Sequence, residues 1–264
     1  MTDPEQALLG LLLAHLATDF LFQPDGWVKA KEDGGFGSGV LALHAAVAGG
    51  LAALLGWGAL DPVRVFAVTA ASHWALDGLK ARFGKGGTRW LLADQALHLA
   101  VIGGLVWWAP SGGPLPSWLA PLWQATLGSV PVRVWGCGLL LVGIPGSIAV
   151  KTMIGIWDAG KGGEAASDAA EDPQPDRDDG LRGRKNAGKW IGILERLFIL
   201  IFILGGHWEG IGFLVVAKSI LRFGEIKDSA DRERAEYVLV GTLASYLWAV
   251  VVSMAAEAVL PPLY

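Results

Sequence analysis

The sequence has little of what a soluble domain of its length carries. Only 17% of its 264 residues are charged, where about 25% is usual for soluble domains. It has one cysteine, Cys137, which excludes an intrachain disulfide and a cysteine-rich zinc site. It has no basic surplus: 21 Lys and Arg stand against 25 Asp and Glu, for a net charge of -4 and a pI of 5.7. Nucleic acid is therefore not an expected partner. The residues ahead of the first apolar run, MTDPEQ, are acidic, so a cleaved signal peptide with a basic n-region is not expected. What is abundant is apolar. AVILMFWYC residues make up 53% of the chain, mean hydropathy is +0.44, and Gly (37) and Trp (13) are both high. Gly enrichment with interfacial Trp is typical of helical membrane proteins. The composition points to an all-α, polytopic transmembrane bundle.

A membrane-spanning helix needs about 20 mostly apolar residues. Eight stretches approach this, at 6–24, 36–57, 60–80, 89–109, 132–156, 190–206, 208–223 and 236–258. Segment 115–127 is too short and Pro-rich to span and reads as interfacial. Gly143, Pro145 and Gly146 predict a kink in the fifth span. Sixteen Lys and Arg fall in the loops after spans one, three, five and seven, against Arg64 and Arg133 alone on the other side. By the positive-inside rule both termini face away from the cytoplasm, and the expected location is a bacterial inner membrane. The stretch 158–188 has Pro, Gly and clustered acids but no aliphatic run. That composition predicts a disordered cytoplasmic linker, dividing a five-helix domain (1–157) from a three-helix domain (189–264). A homo-oligomer is left open.

Ionisable residues inside a bilayer are costly and mark function by default. Four of the five histidines fall in the first four spans. The first span carries His15, Asp19 and Gln23 at i, i+4, i+8, hence on one face. The second carries His44, the third His73 and Asp77, and the fourth Asp94, Gln95 and His98. The His/Asp order is reversed in the fourth span, which runs the opposite way to the first and third. All four histidines thereby fall at one depth, roughly 10–14 Å from the cytoplasmic ends, with the carboxylates roughly 5–8 Å in. The spacing predicts four antiparallel helices presenting a layer of imidazoles beneath a layer of carboxylates. Imidazole and carboxylate suit zinc, manganese or iron, and bundle interiors hold such sites. The candidate metal ligands are His15, Asp19, His44, His73, Asp77, Asp94 and His98, with Gln23 and Gln95 available for a water or substrate oxygen. Haem ligated by paired histidines is the weaker rival, since it has no use for three adjoining carboxylates.

LLLAHLATDFLFQ (11–23 in its polar part), His44, HWALD (73–77) and DQALH (94–98) together resemble a bacterial membrane family. That family is known only as a domain of unknown function, with the signature H-x-x-x-D-F, H, H-x-x-x-D and D-Q-x-x-H. The likeness covers about residues 6–110 and extends to a C-terminal block beginning GKWIGILERLFIL. It implies a fold and a site but no reaction. More distantly, the His/Asp pattern is similar to inner-membrane metal-dependent hydrolases.

In the C-terminal part, Glu195 and Lys218 lie at similar depths, so they can pair across helices. Alternatively Lys218 and Arg222 can hold a lipid phosphate. The leading expectation is a metal-dependent hydrolase acting on a lipid or phosphoester at the cytoplasmic interface, with membrane lipids as partners. Asp19 or Asp94 takes the water proton, and Lys218 and Arg222 position the phosphate. The alternatives are a divalent-metal or proton transporter and a structural subunit with a polar packing core. Above the histidines the first four spans are Ala, Leu, Val and Gly, an asymmetry that favours a one-sided site over a transport path.

Overall fold

The computed structural model describes residues 3–84, 88–108, 112–113, 115–159, 187–223 and 229–260. Among them are eleven α-helices and no strand. They are α1 (Asp3–Phe20), α2 (Asp25–Gly34), α3 (Gly39–Gly56), α4 (Pro62–Phe83), α5 (Thr88–Trp108) and α6 (Ala120–Ala125). There follow α7 (Val130–Val142), α8 (Ile144–Ala159), α9 (Ala187–Leu204), α10 (Glu209–Phe223) and α11 (Ser229–Val259). A single 3-10 turn, Gly35–Gly37, leads into α3. The linker expected at 158–188 falls almost wholly outside the described residues. The chain forms two compact units, Met1–Leu140 and Leu141–Tyr264.

A helix is found at each of the eight expected stretches, but the expectation of eight spans is not upheld. Three helical segments are long and apolar enough to cross a membrane: Gly39–Gly56, Arg89–Trp108 and Tyr237–Val259. Val130–Val142 and Ile144–Gly155 pass together as one broken span, which makes four. The others fall short for physical reasons. Helix α10 has only 15 residues. Helix α1 spends Asp3, Glu5 and Asp19 within 18 residues, and α9 spends Lys189, Glu195 and Arg196 within 18. Helix α4 is diluted by Arg64, His73, Asp77, Lys80 and Arg82.

In the first unit α1 packs on α3 and α5, and α4 packs on the same two, which closes a ring of four helices. Their starts are set locally. The Ser38 hydroxyl accepts from the Leu41 amide at 3.4 Å ahead of α3. The Asp61 carboxylate accepts from the Arg64 amide at 2.8 Å, and Pro62 supplies a preset φ at the first turn of α4. Close packing needs small residues. A side chain at Gly10 would strike the Leu55 carbonyl, and one at Gly49 would meet the Phe66 carbonyl at 2.8 Å.

The ring is segregated end to end. Ala7, Leu11 and Ala14 of α1, Ala52 and Leu55 of α3, Val65 of α4, and Ile102 and Leu105 of α5 form one apolar cluster. The His and Asp residues of the same helices occupy the opposite end. Helix α2, between α1 and α3 in sequence, packs against α3 and α4.

In the second unit α9 packs on α8, α10 and α11, with Ile199, Ile203, Tyr246 and Ala249 at the centre. The expected kink is a break at Gly143, with a bend of 42°. Pro145 has no N–H to give the Leu141 carbonyl four residues back, and the Trp248 indole N–H takes that place at 3.0 Å. The buried Arg196 guanidinium serves the break as well. Its Nε donates to the Val142 carbonyl at 2.6 Å, and Nη2 donates to the Gly143 carbonyl at 3.1 Å and the Ser147 hydroxyl at 2.6 Å. Nη1 reaches the Ser245 hydroxyl at 3.1 Å.

Candidate metal centre

The seven side chains expected as metal ligands meet at the polar end of the four-helix ring. His44 is 0% exposed, His73 2%, His98 4%, Asp94 5%, and His15 and Asp77 7%. The imidazoles adjoin one another in a row. Ring centroids lie 5.0 Å apart for His15 and His98, 4.3 Å for His98 and His73, and 5.1 Å for His73 and His44.

Three ligand atoms close a tight triangle. His73 Nε2 is 3.0 Å from Asp19 Oδ1 and 3.3 Å from His44 Nε2, and His44 Nε2 is 3.6 Å from Asp19 Oδ1. Asp77 Oδ2 adds a fourth atom, 3.5 Å from His44 Nε2. For metal–ligand bonds of about 2.0 Å, the edge of a tetrahedron is about 3.3 Å. The observed separations bracket that edge.

A second group lies on α5. His98 Nδ1 is 2.9 Å from the Asp94 backbone carbonyl. A carbonyl only accepts, so Nδ1 carries the proton and the lone pair is on Nε2. His98 Nε2 and Asp94 Oδ1 are both buried with no hydrogen-bond partner. Such a lock on the far ring nitrogen is the usual companion of a ligating histidine. His44 Nδ1 is likewise buried and unpartnered.

Gln95, expected to face a substrate oxygen, ties the groups together. Its oxygen lies 3.2 Å from His15 Nε2, and its amide nitrogen donates to Asp19 Oδ2 at 3.4 Å and Asp94 Oδ2 at 3.3 Å. Gln23 is not turned to a vacant place. It accepts from Lys31 Nζ at 2.8 Å.

Lys31 was counted in sequence only as a loop charge, and its role went unseen. It is 6% exposed and donates to Asp77 Oδ2 at 2.6 Å. Lys80 does the same for Asp94 Oδ2 at 2.7 Å. Two of the three central carboxylates therefore already hold an ammonium, which offsets much of the cost of burying them. The sequence held one signal for Lys31: Trp27 and Lys31 stand at i, i+4 on α2, and Trp27 also faces His44, ring to ring at 6.3 Å. A small cavity of ≈ 20 Å³, about the room of one water, adjoins the cluster, lined by His15, His73 and His98 with Thr69, Ser72 and apolar residues. Thr69 and Ser72 were also missed, because hydroxyls on an apolar helix carry no distinctive spacing.

Lys218, expected to position a phosphate, belongs to the second unit. There it donates to Glu195 Oε2 at 2.6 Å. The side chain of Arg222 lies outside the described residues.

Residues 7–120 match the family model of a protein of unknown function (DUF3307). The match spans α1 to α5 and therefore contains every member of the cluster. No curated protein and no solved structure matches the chain, and the comparisons give no support to the expected similarity to metal-dependent hydrolases.

Proposed function

We propose that this chain is an integral membrane protein that holds a divalent metal in its four-helix core and uses it to hydrolyse a lipid or phosphoester. The reading is carried by the approach of His44 Nε2, His73 Nε2 and Asp19 Oδ1 to within 3.0–3.6 Å of one another. Zinc is the first choice for a nitrogen-and-oxygen set of this size, with manganese and iron next.

A metal held by His15, Asp19, His44, His73, Asp77, Asp94 and His98, or a subset, would acidify a bound water toward pH 7 and polarise a scissile group. The chain's own residues supply the rest. Asp19 and Asp94 are the carboxylates placed to accept the proton of that water. Gln95 orients His15 and both carboxylates, and Gln23 steadies Lys31. A phosphate-positioning role for Lys218 and Arg222 requires Lys218 to leave Glu195. The membrane is a bacterial inner membrane and the site lies near its cytoplasmic face.

The apolar cluster that fills the other end of the ring argues against a transport path through it. A transporter needs polar access from both sides, and Ala7, Leu11, Val65 and Leu105 offer none. The test is metal content and hydrolysis together, on detergent-purified full-length protein. A transition metal in the wild type, its loss in His73→Ala, and chelator-sensitive cleavage of bis(p-nitrophenyl) phosphate or of phosphatidic acid vesicles are the expected results. A wild type that takes up no zinc, manganese or iron on reconstitution overturns the reading.

A further inference from the structure

We propose that the core is built for two divalent ions, bridged by the Asp19 carboxylate. The proposal rests on the metal reading above and adds the number of ions and the division of the ligands between them.

Two ligand sets can be drawn that share no residue. His44, His73 and Asp77 each offer an atom within 4.8 Å of the others, and so do Asp19, Asp94 and His98. One ion in the first set leaves the second unexplained. His98 Nε2 and Asp94 Oδ1 would each stay buried without a hydrogen-bond partner, although buried acceptors are ordinarily satisfied. Neither atom is placed by accident. His98 is fixed through Nδ1 on the Asp94 carbonyl, and Asp94 is fixed through Oδ2 on Lys80. Each is held by one end; at the other, Asp94 Oδ1 lies 3.6 Å from His98 Nδ1 and His98 Nε2 has no hydrogen-bond partner.

Asp19 stands between the sets. Oδ1 faces His73 and His44 at 3.0 and 3.6 Å. Oδ2 turns the other way, toward Gln95 at 3.4 Å and His15 Nδ1 at 3.8 Å. Of the three central carboxylates it is the one that bonds no lysine among the described residues. Its two oxygens therefore face different ligand sets, with neither bonded to a lysine among the described residues, as suits a bridging carboxylate.

The assignment narrows the chemistry. Asp19 and Asp94 both become ligands, so neither remains as the acceptor of the water proton. Lys31 and Lys80 each hold the second oxygen of a ligating carboxylate, which orients it. Three carboxylates set against two lysines and two divalent ions leave a cationic centre. That charge selects an anionic substrate, a phosphoester over a neutral ester.

Manganese loading of the full-length chain in detergent tests this, with bound ion per polypeptide counted by mass spectrometry after equilibrium dialysis. The wild type is expected to hold about two ions, and His98→Ala, Asp94→Asn and His44→Ala about one each. Asp94→Asn keeps the side-chain shape and serves if His98→Ala does not fold. Electron paramagnetic resonance of the same samples gives a second readout. An exchange-coupled signal in the wild type should give way to the six-line pattern of an isolated ion in the variants. One ion in the wild type, or full wild-type loading in both His98→Ala and Asp94→Asn, overturns the two-ion assignment while leaving the metal reading standing. No ion in the wild type overturns both.

Discussion

Lys31 carries a charge into a place where burial is costly, and Asp77 is what makes that tolerable. The pair is 2.6 Å apart with side chains 8% and 7% exposed. Removing one partner of a buried pair strands the other, typically at about 3–5 kcal/mol. Lys31→Met is therefore expected to destabilise the metal-free protein by about 3 kcal/mol. Adding Asp77→Asn should recover more than half of the loss, because the stranded charge is gone. Thermal unfolding of the two variants and the wild type in detergent checks this, and additive losses would show that the pair is not coupled. His15, Asp19, His73, Asp77, Asp94 and His98 were legible as site candidates because their i, i+4 spacing needs only a helix to put them on one face. Lys31 was not, because nothing near it in sequence shows that α2 turns back onto α3 and α4.

At the scale of elements, two devices hold the helices in place. The first is the close approach of α3 and α4 at Gly49. Gly49→Leu would drive a side chain into the Phe66 carbonyl, an overpacking that costs about 1–3 kcal/mol. Those two helices carry His44 and His73, so the same variant is expected to lower metal content as well as melting temperature. Unchanged metal uptake would separate this contact from the site. The second device is Arg196 at the break between α7 and α8. Arg196→Met leaves the Val142 carbonyl without its Arg196 donor, while Gly143 keeps Ser147, and an unsatisfied buried group costs about 1–3 kcal/mol. A loss of about 3 kcal/mol is expected. Arg196→Lys should restore less than half of it, since an ammonium cannot fork to four acceptors. The break itself was readable from Gly143, Pro145 and Gly146. Its cap comes from a helix more than 50 residues away and was not.

Among the described residues, three helical segments, or four with the broken pair, are long and apolar enough to cross a membrane. The chain should stay in the pellet after alkaline carbonate extraction of membranes. Orientation has its own test, because Cys137 is the sole cysteine. In a Cys137→Ser background, Ser167→Cys should react with an impermeant thiol reagent only in inverted vesicles, and Ser111→Cys only in right-side-out ones. The opposite pattern would reverse the assignment of the cytoplasmic face.

The sequence by itself determined helical class, the presence of a helix at each of the eight apolar stretches, the kink, and the membership of the His/Asp set, but it read α2 as a loop. These follow from local quantities: apolar run length, helical period, and the lone Pro and Gly residues that interrupt it. It overcounted the spans, because an apolar run reads as a span until the charges inside its helix are weighed against its length, as with Glu195 and Arg196 in α9. Only the tertiary structure decided which atoms meet. Lys31 on Asp77, Lys80 on Asp94, the unpartnered Nε2 of His98 and the opposed contacts of the two Asp19 oxygens depend on rotation and register between helices far apart in sequence. Those are fixed by the packing of α1, α3, α4 and α5 around a common axis, and no local pattern encodes that packing.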